Sequence, residues 1–341
     1  MSENSCCCSS KACCEMPTIQ TISTQLTFKD RVNGCKARWG IGRMKYLVEW
    51  GIYAIGEPDE TSPVLVSANY KLTFDSLRKE LGGVDCWLLI LDTKGINVWC
   101  AAGKGTFGTD ELINKISETK LDKIVSQRTL ILPQLGAPGI NANEVKKQTG
   151  FSVIYGPVRA EDIRTFLVAG NKATGEMRTV KFTSRDRLAL TPMEIVPATQ
   201  KLVVLFGVFF MLNLVALKPF GIKDVIAIVG AMLVGTFAIP ILLPIVPGRA
   251  FSFKGSLLGL LWAVGIIVIN GWLTSSQWLL AVGYFFVLPS ISAYLAMNFT
   301  GSSTYTSPSG VLREMKIALP FMIVAFVVGG ILILLSRIFG I

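Results

Sequence analysis

Asn97-Val98-Trp99-Cys100-Ala101-Ala102-Gly103-Lys104-Gly105-Thr106-Phe107-Gly108 is the stretch on which the reading of this chain turns. Before it stands an apolar run at 87–91 (WLLIL), a buried strand by its length and β-rich composition, and then a short segment at 96–99. After it, 109–119 fits a helix, with Thr109 as N-cap and Asp110 and Glu111 in the first turn. Further strands are expected at 64–68, 129–132 and 152–155. Further helices are expected at 73–81 (ended by Gly82-Gly83), 142–148 and 161–169. Strands alternating with helices predict a parallel, Rossmann-like α/β sheet covered on both faces. Such sheets meet ligands beyond the carboxyl ends of their strands. Ser67, Asn69, Gln134 and Gly136 fall at those ends and are candidate ligand contacts.

Gly103, Gly105 and Gly108 spell a literal G-x-G-x-x-G. A dinucleotide fingerprint belongs at the first βα turn, with an acidic residue about 20 positions on at the end of a second strand. Here the acid is Asp122, and no strand precedes it. A phosphate-binding loop fails as well, because Val98 stands where its first glycine belongs and Gly105 replaces the Ser or Thr. Histidine is absent from all 341 residues. That removes Ser-His-Asp and Cys-His catalysis and every His-ligated metal. Cys100 is the remaining chemical feature, and two readings stay open on the residues alone. It is an inert core thiol, or it is a sulfur at a strand-to-turn junction where small neighbours let a flat ligand approach.

The chain is 51% hydrophobic and 16% charged, with a net charge of +10. Only eight of its 33 Lys and Arg, and two of its 23 Asp and Glu, fall beyond residue 200. Sparse cations between apolar runs are the signature of membrane spans, and nucleic acid need not be invoked. Five apolar segments, 202–217, 225–247, 257–273, 278–297 and 317–335, approach the roughly 20 residues a span needs. Pro240, Pro244 and Pro247 predict a break in the second. These segments contain no charge. The inner flanks would hold Arg178, Lys181, Arg185, Arg187, Lys201, Arg249, Lys254, Arg313 and Lys316, against Lys218, Lys223 and Arg337 outside. That asymmetry predicts a multi-pass protein of the cell (inner) membrane, with its N-terminus and soluble domain in the cytoplasm. Residues 1–27 are expected to be a disordered Cys-rich tail, 28–190 a soluble domain, 191–201 a linker and 202–341 the all-α membrane domain. The tail cysteines Cys6, Cys7, Cys8, Cys13 and Cys14 follow no secretory signal, so a reducing setting is expected.

The stretch 97–104 (NVWCAAGK) resembles the signature of the mercury-methylating corrinoid protein family. That family's soluble domain is similar to the corrinoid-binding domain of the corrinoid iron–sulfur protein large subunit. The resemblance extends to 38–44 (RWGIGRM), 62–70 (SPVLVSANY), 91–96 (LDTKGI), 133–139 (PQLGAPG), 150–159 (GFSVIYGPVR) and 186–190 (DRLAL), and to the five-span tail. Trp50 stands where the family tends to have Pro, and the Cys-rich tail lies outside the shared pattern. The resemblance implies a cobalamin-type corrinoid over a short cap helix, with the Cys100 thiolate as lower ligand to cobalt. It implies that Asn97, Val98, Trp99, Ala101, Ala102, Gly103, Lys104 and Gly105 shape the cofactor site, the two alanines leaving room for the ring. A soft, strongly donating sulfur favours methyl transfer to the electrophile Hg(II). The cobalt must then be reduced. The chain has no C-x₂-C-x₂-C cluster run, so the resemblance implies a ferredoxin-like [4Fe–4S] reductant. The methyl donor it implies is a methyl-tetrahydrofolate-linked system. The tail cysteines would capture mercury.

Two other functions fit the residues: a corrinoid methyl carrier with a different acceptor, and a heavy-metal binding or transport protein with the tail as receiver. A nucleotide-binding regulator of a membrane complex is a further alternative.

Overall fold

A computed structural model of the chain describes residues 19–273, 277–303 and 308–340. The chain divides into two compact units, residues 41–180 with the segment ahead of Arg38, and residues 181–341 with 38–40. In the first unit, six strands form one sheet: β1 (Gln20–Thr21), β2 (Gly51–Ile55), β3 (Val64–Ala68), β4 (Cys86–Leu91), β5 (Thr129–Leu132) and β6 (Ser152–Tyr155). Their order is β1-β2-β4-β3-β5-β6. β4, β3, β5 and β6 run parallel, as the alternation predicts. β2 is antiparallel to β4, and β1 lies parallel to β2. The sheet is therefore mixed, with a parallel core. β1 also corrects the expectation that 1–27 is wholly disordered. The Ile22 amide extends the β1–β2 pairing by donating to the Ala54 carbonyl at 2.9 Å.

Seven helices accompany the sheet: α1 (Phe28–Arg38), α2 (Lys71–Glu80), α3 (Val98–Lys104), α4 (Thr109–Glu118), α5 (Leu121–Ile124), α6 (Ala142–Thr149) and α7 (Ile163–Val168). Side chains alternate across each strand. Val64, Val66, Leu89, Leu91, Leu130 and Leu132 meet Val98, Phe107, Leu112, Ile116 and Val145 on one face. Leu65, Leu88, Ile90 and Ile131 meet Phe74, Leu81, Ile163 and Phe166 on the other. Both faces are thus buried, which is why the strands read as unbroken apolar runs. The cap of α4 is Gly108 rather than Thr109. The Thr109 hydroxyl instead accepts from the Asn141 amide at 2.8 Å.

In the second unit, five helices are long and apolar enough to cross a membrane: Ser184–Leu212, Ile222–Leu242, Phe251–Ile269, Trp278–Gly301 and Ser309–Phe339. The first begins at a capping box, where Thr183 and Asp186 exchange hydrogen bonds. It then runs unbroken through 191–201, so the expected linker is helical. Pro192 and Pro197 each remove one amide from the ladder without ending it. The second helix changes to a π turn at Val234–Ala238 just before Pro240, the break that the prolines predict. Gly255 and Gly259 let the third helix lie close on the fourth. A Cβ at Gly255 would stand 2.7 Å from the Ala293 Cα, and one at Gly259 would stand 2.8 Å from the Pro289 Cα.

Four of the five helices are longer than the apolar segments, the second (Ile222–Leu242, 21 residues) starts ahead of its segment and stops short of its end, and the helix ends carry charge. Asp224 is buried in the second helix, where it accepts from Tyr284 Oη at 2.6 Å and pairs with Arg337 of the fifth. Lys254, buried in the third, donates to the Leu243 carbonyl. The expectation of chargeless spans therefore holds for the central segments and fails at the helix ends, where buried partners replace water.

Candidate functional site

In the parallel core the chain passes from β3 to β4 on one side and later returns to β5 on the other side of β3. The connection reverses between β3 and β5, and a sheet of this kind opens its ligand crevice at that point. Three segments converge at these carboxyl ends: 69–70 after β3, 92–97 leading into α3 after β4, and the 3₁₀ turn Gln134–Gly139 after β5.

The segment 96–99 forms the start of a helix rather than a stretch of its own. Asn97 is the N-cap of α3, and its Oδ1 accepts from the Cys100 amide at 2.9 Å. Gly105 closes the helix in the left-handed conformation at φ 80°, where a side chain would be strained. Over these seven residues the helical period sorts the side chains cleanly. Val98, Ala101 and Ala102 are buried. Trp99 is 43% exposed, Cys100 is half-buried, and Gly103 and Lys104 are exposed.

Ala101 and Ala102 therefore face the protein in this structure, and Ala102 lies against the 3₁₀ turn. A Cβ on Gly139 would come within 2.1 Å of the Phe107 carbonyl and 3.1 Å of the Ala102 Cα. A Cβ on Gly136 would come within 2.5 Å of the Phe107 ring. The 3₁₀ turn thus lies flush against α3 and the fully buried Phe107. On the outward face, a Cβ on Gly103 would meet nothing within 4 Å. A helical glycine costs about 1 kcal/mol relative to Ala. Close packing explains Gly136 and Gly139 but not Gly103, which opens the helix surface one turn beyond Cys100.

Asn69 is buried and does not line an open crevice. Its Oδ1 accepts from the Thr93 amide (3.1 Å) and the Gly95 amide (3.1 Å), and the Thr93 hydroxyl lies 2.9 Å away. Its Nδ2 donates to Asp92 Oδ1 at 2.9 Å. The side chain holds the loop that delivers Asn97 and so positions α3. Burial pushes the Asp92 carboxyl up, but hydrogen bonds from Lys94 and Asn69 outweigh it and hold the group below its ordinary value. The Asp92 amide donates to Glu111 Oε1 at 2.9 Å, tying this loop to the first turn of α4. Ser67 is buried within β3. Gln134 Oε1 accepts from Arg178 at 3.1 Å, and Gly136 is buried. None of these four strand-end candidates shares the open face of α3.

Sequence reasoning missed Asp92, Thr93 and Phe107, all of which set the position of Cys100. Only their place immediately around the 97–104 stretch could have pointed to them. It also missed the Thr106 hydroxyl, which is buried without a hydrogen-bond partner among the described residues. Trp50 precedes β2 and stacks under the Lys115 ammonium, 3.4 Å from the ring centroid. Cys86, inside β4, is a different kind of sulfur. Burial pushes its thiol up to about 12, which keeps it protonated. Cys6, Cys7, Cys8, Cys13 and Cys14 lie outside the described residues.

The fold and this crevice define a class: a predominantly parallel α/β ligand-binding domain that presents one half-buried sulfur on a short capped helix. Residues 43–167 match the family described as CO dehydrogenase/acetyl-CoA synthase delta subunit. Over 122 residues the chain is 36% identical to the acetyl-CoA decarbonylase/synthase complex subunit gamma of Methanopyrus kandleri, covering 35% of this chain and 26% of that protein. The Methanocaldococcus jannaschii subunit of the same description is 35% identical over 127 residues, 37% of this chain and 26% of its own. The corrinoid/iron-sulfur protein large subunit of Moorella thermoacetica is 32% identical over 121 residues, 35% of this chain and 27% of its own. The chain spans about a quarter of the length of these curated relatives. The family match runs from β2 through most of the α/β domain and includes the whole of α3, with β1 and α1 outside it.

Proposed function

We propose that this chain is a membrane-anchored corrinoid methyl carrier that methylates inorganic Hg(II), with the Cys100 thiolate as lower axial ligand to cobalt. The observation that carries the reading is the outward face of α3. It presents Cys100 beside a helical glycine with open space over it, in a domain similar to a corrinoid/iron-sulfur protein. The donor set fits the group. Among the described residues no three His, Cys, Asp or Glu converge, so the protein offers one sulfur to a metal whose equatorial positions a macrocycle already fills. The Thr106 hydroxyl, buried without a partner, is a second group that a ligand would satisfy.

When bound, the corrinoid supplies the methyl group and the metal that carries it. The protein's part is donor strength and position. Asn97 takes up the Cys100 amide and fixes the first turn of α3. Trp99 and Lys104 flank the sulfur on the exposed face, the first to pack and the second to meet polar substituents. As a ligand, the Cys100 thiolate would be a stronger donor than imidazole, and a bound corrinoid so held would supply the electron-rich methyl that an electrophilic metal ion requires. As the resemblance at 97–104 implies, a ferredoxin-like [4Fe–4S] protein would be the reductant and a methyl-tetrahydrofolate-linked system the methyl source. The five helices anchor the carrier, with the α/β domain in the cytoplasm. The tail cysteines pass mercury inward.

The test is anaerobic purification of the full chain, followed by its optical spectrum and a methylmercury assay. The wild type is expected to show corrin absorption with a sulfur-ligated signature. Cys100→Ala is expected to lose that signature and lower methylmercury formation at least 100-fold, as removal of a metal's key ligand does. Wild-type activity in Cys100→Ala would overturn the ligand assignment. Absence of corrin absorption from the wild type would overturn the whole reading.

A further inference from the structure

We infer that the membrane unit holds one anionic phospholipid, with an acyl chain in a cavity between its helices and the headgroup phosphate on Lys201. The inference rests on the five helices being membrane spans. It adds a binding site to the anchor and is independent of the chemistry at Cys100.

The cavity has a volume of about 720 Å³, within the roughly 300–1,000 Å³ of small-ligand sites. Its walls come from four of the five helices. Leu205 and Val208 belong to the first, Met232 to the second, Leu295 to the fourth, and Met322 and Phe326 to the fifth. Among the described residues, Lys201 is the one charged side chain lining it. Tyr294, also on the lining, is the phenol that Lys201 meets, with Nζ 3.5 Å from the hydroxyl and 5.2 Å from the ring centroid. Ser290 is already committed, its hydroxyl donating to the Phe286 carbonyl at 2.7 Å. The site is therefore polar at one point and apolar everywhere else.

That division matches the membrane boundary. The first helix has 29 residues and is about 44 Å long at 1.5 Å per residue, well beyond a hydrocarbon core of about 30 Å. Its excess lies at the Ser184 end, where Arg185, Asp186, Arg187 and Glu194 precede Lys201. From Leu202 onward it is apolar. Lys201 thus sits at the interface, and Tyr294 is the kind of aromatic residue that settles there. Lys316 marks the same level on the fifth helix, ahead of its apolar run. An ammonium at the interface with hydrocarbon walls below complements a phosphate with an acyl chain below it. Basic sites between helices bind anionic headgroups in this way. A quinone would need a second free donor deeper in the cavity, and among the described lining residues the Ser290 hydroxyl already spends its proton on the Phe286 carbonyl.

The experiment uses the full chain in mild detergent, stripped of lipid and titrated with phosphatidylglycerol or phosphatidylcholine, with bound lipid counted by native mass spectrometry. One phosphatidylglycerol is expected to bind in preference to phosphatidylcholine. Lys201→Gln is expected to reduce that preference about fivefold, the value of one interfacial cation. Ile323→Trp, on a half-exposed cavity wall, is expected to weaken both lipids by filling the chain site. Equal binding of the two lipids by the wild type, or an undiminished preference in Lys201→Gln, overturns the proposal. Alkaline washing of cell membranes separates this failure from that of its premise. Release of the chain by the wash would remove the spans, whereas retention without lipid preference would remove only the site.

Discussion

The Asn69 carboxamide never reaches the open face of α3, yet it governs where that face stands. Its oxygen takes two backbone amides of the 92–97 loop, and its nitrogen steadies Asp92. Asn69→Ala would strand the buried Gly95 amide, at about 1–3 kcal/mol, and leave the Thr93 amide with the Leu91 carbonyl alone. The expected result is a lower unfolding temperature together with weaker corrinoid retention, read by calorimetry and by absorption after gel filtration. Gly136→Ala acts from the opposite side. Its Cβ would fall 2.5 Å from the Phe107 ring, an overpacking cost of about 1–3 kcal/mol. Phe107→Leu in the same chain should recover part of that loss in a denaturant titration. Cys100 itself was legible from its neighbours, because a thiol followed by small residues and glycines after a strand is an unusual local sequence. What its neighbours do was not legible. Ala102 lies against Gly139, 37 residues beyond it in the sequence, and no local pattern carries that information.

At the scale of elements, the first turn of α1 and the segment ahead of it are held to α2 by charged side chains. Asp30 accepts from Lys71 at 3.0 Å and Arg78 at 2.8 Å, and Arg78 also donates to the Ser23 carbonyl at 2.6 Å. Burial raises the Asp30 carboxyl, but hydrogen bonds from Thr27, Lys71 and Arg78 prevail and hold it well below the ordinary 3.8. A carboxylate depressed on folding contributes stability that is present above its unfolded value and lost as pH falls toward the folded one. Unfolding free energy should therefore decline below about pH 4, and the decline should be shallower in Asp30→Asn, as denaturant titrations from pH 3 to 7 will show. β3, β5 and β6 coincide with the runs read from the sequence, because strands buried on both faces are written as continuous apolar residues. β1 and β2 were not read. One is two residues long, and its neighbouring segment depends on ion pairs to residues more than 40 positions away. α3 did not show in the residue pattern, because seven residues are too few for a helical period; a short helix carrying Cys100 was expected only from the resemblance, and its Asn97 N-cap was not read.

In the molecule as a whole, each unit has its own core, and the membrane unit also depends on a charge. Asp224 links the second, fourth and fifth helices through Tyr284 and Arg337. Asp224→Ala would leave Arg337 buried without its counter-charge, at about 3–5 kcal/mol. Asp224→Ala with Arg337→Leu should cost much less. The difference is measurable as the temperature at which the detergent-solubilised chain leaves its monodisperse peak in size-exclusion chromatography. The same pairing sets a schedule for synthesis. Arg337 follows Asp224 by 113 residues, and a ribosome adding about 5–20 residues per second delivers the base roughly 6–23 s after the acid. During that interval the nascent second helix has no guanidinium to neutralise it. The Gly221 amide, made just before Asp224, already donates to the carboxylate at 2.8 Å; Tyr284, 60 residues after it, is the first partner from another helix, so this three-helix link closes only when the fifth helix leaves the ribosome.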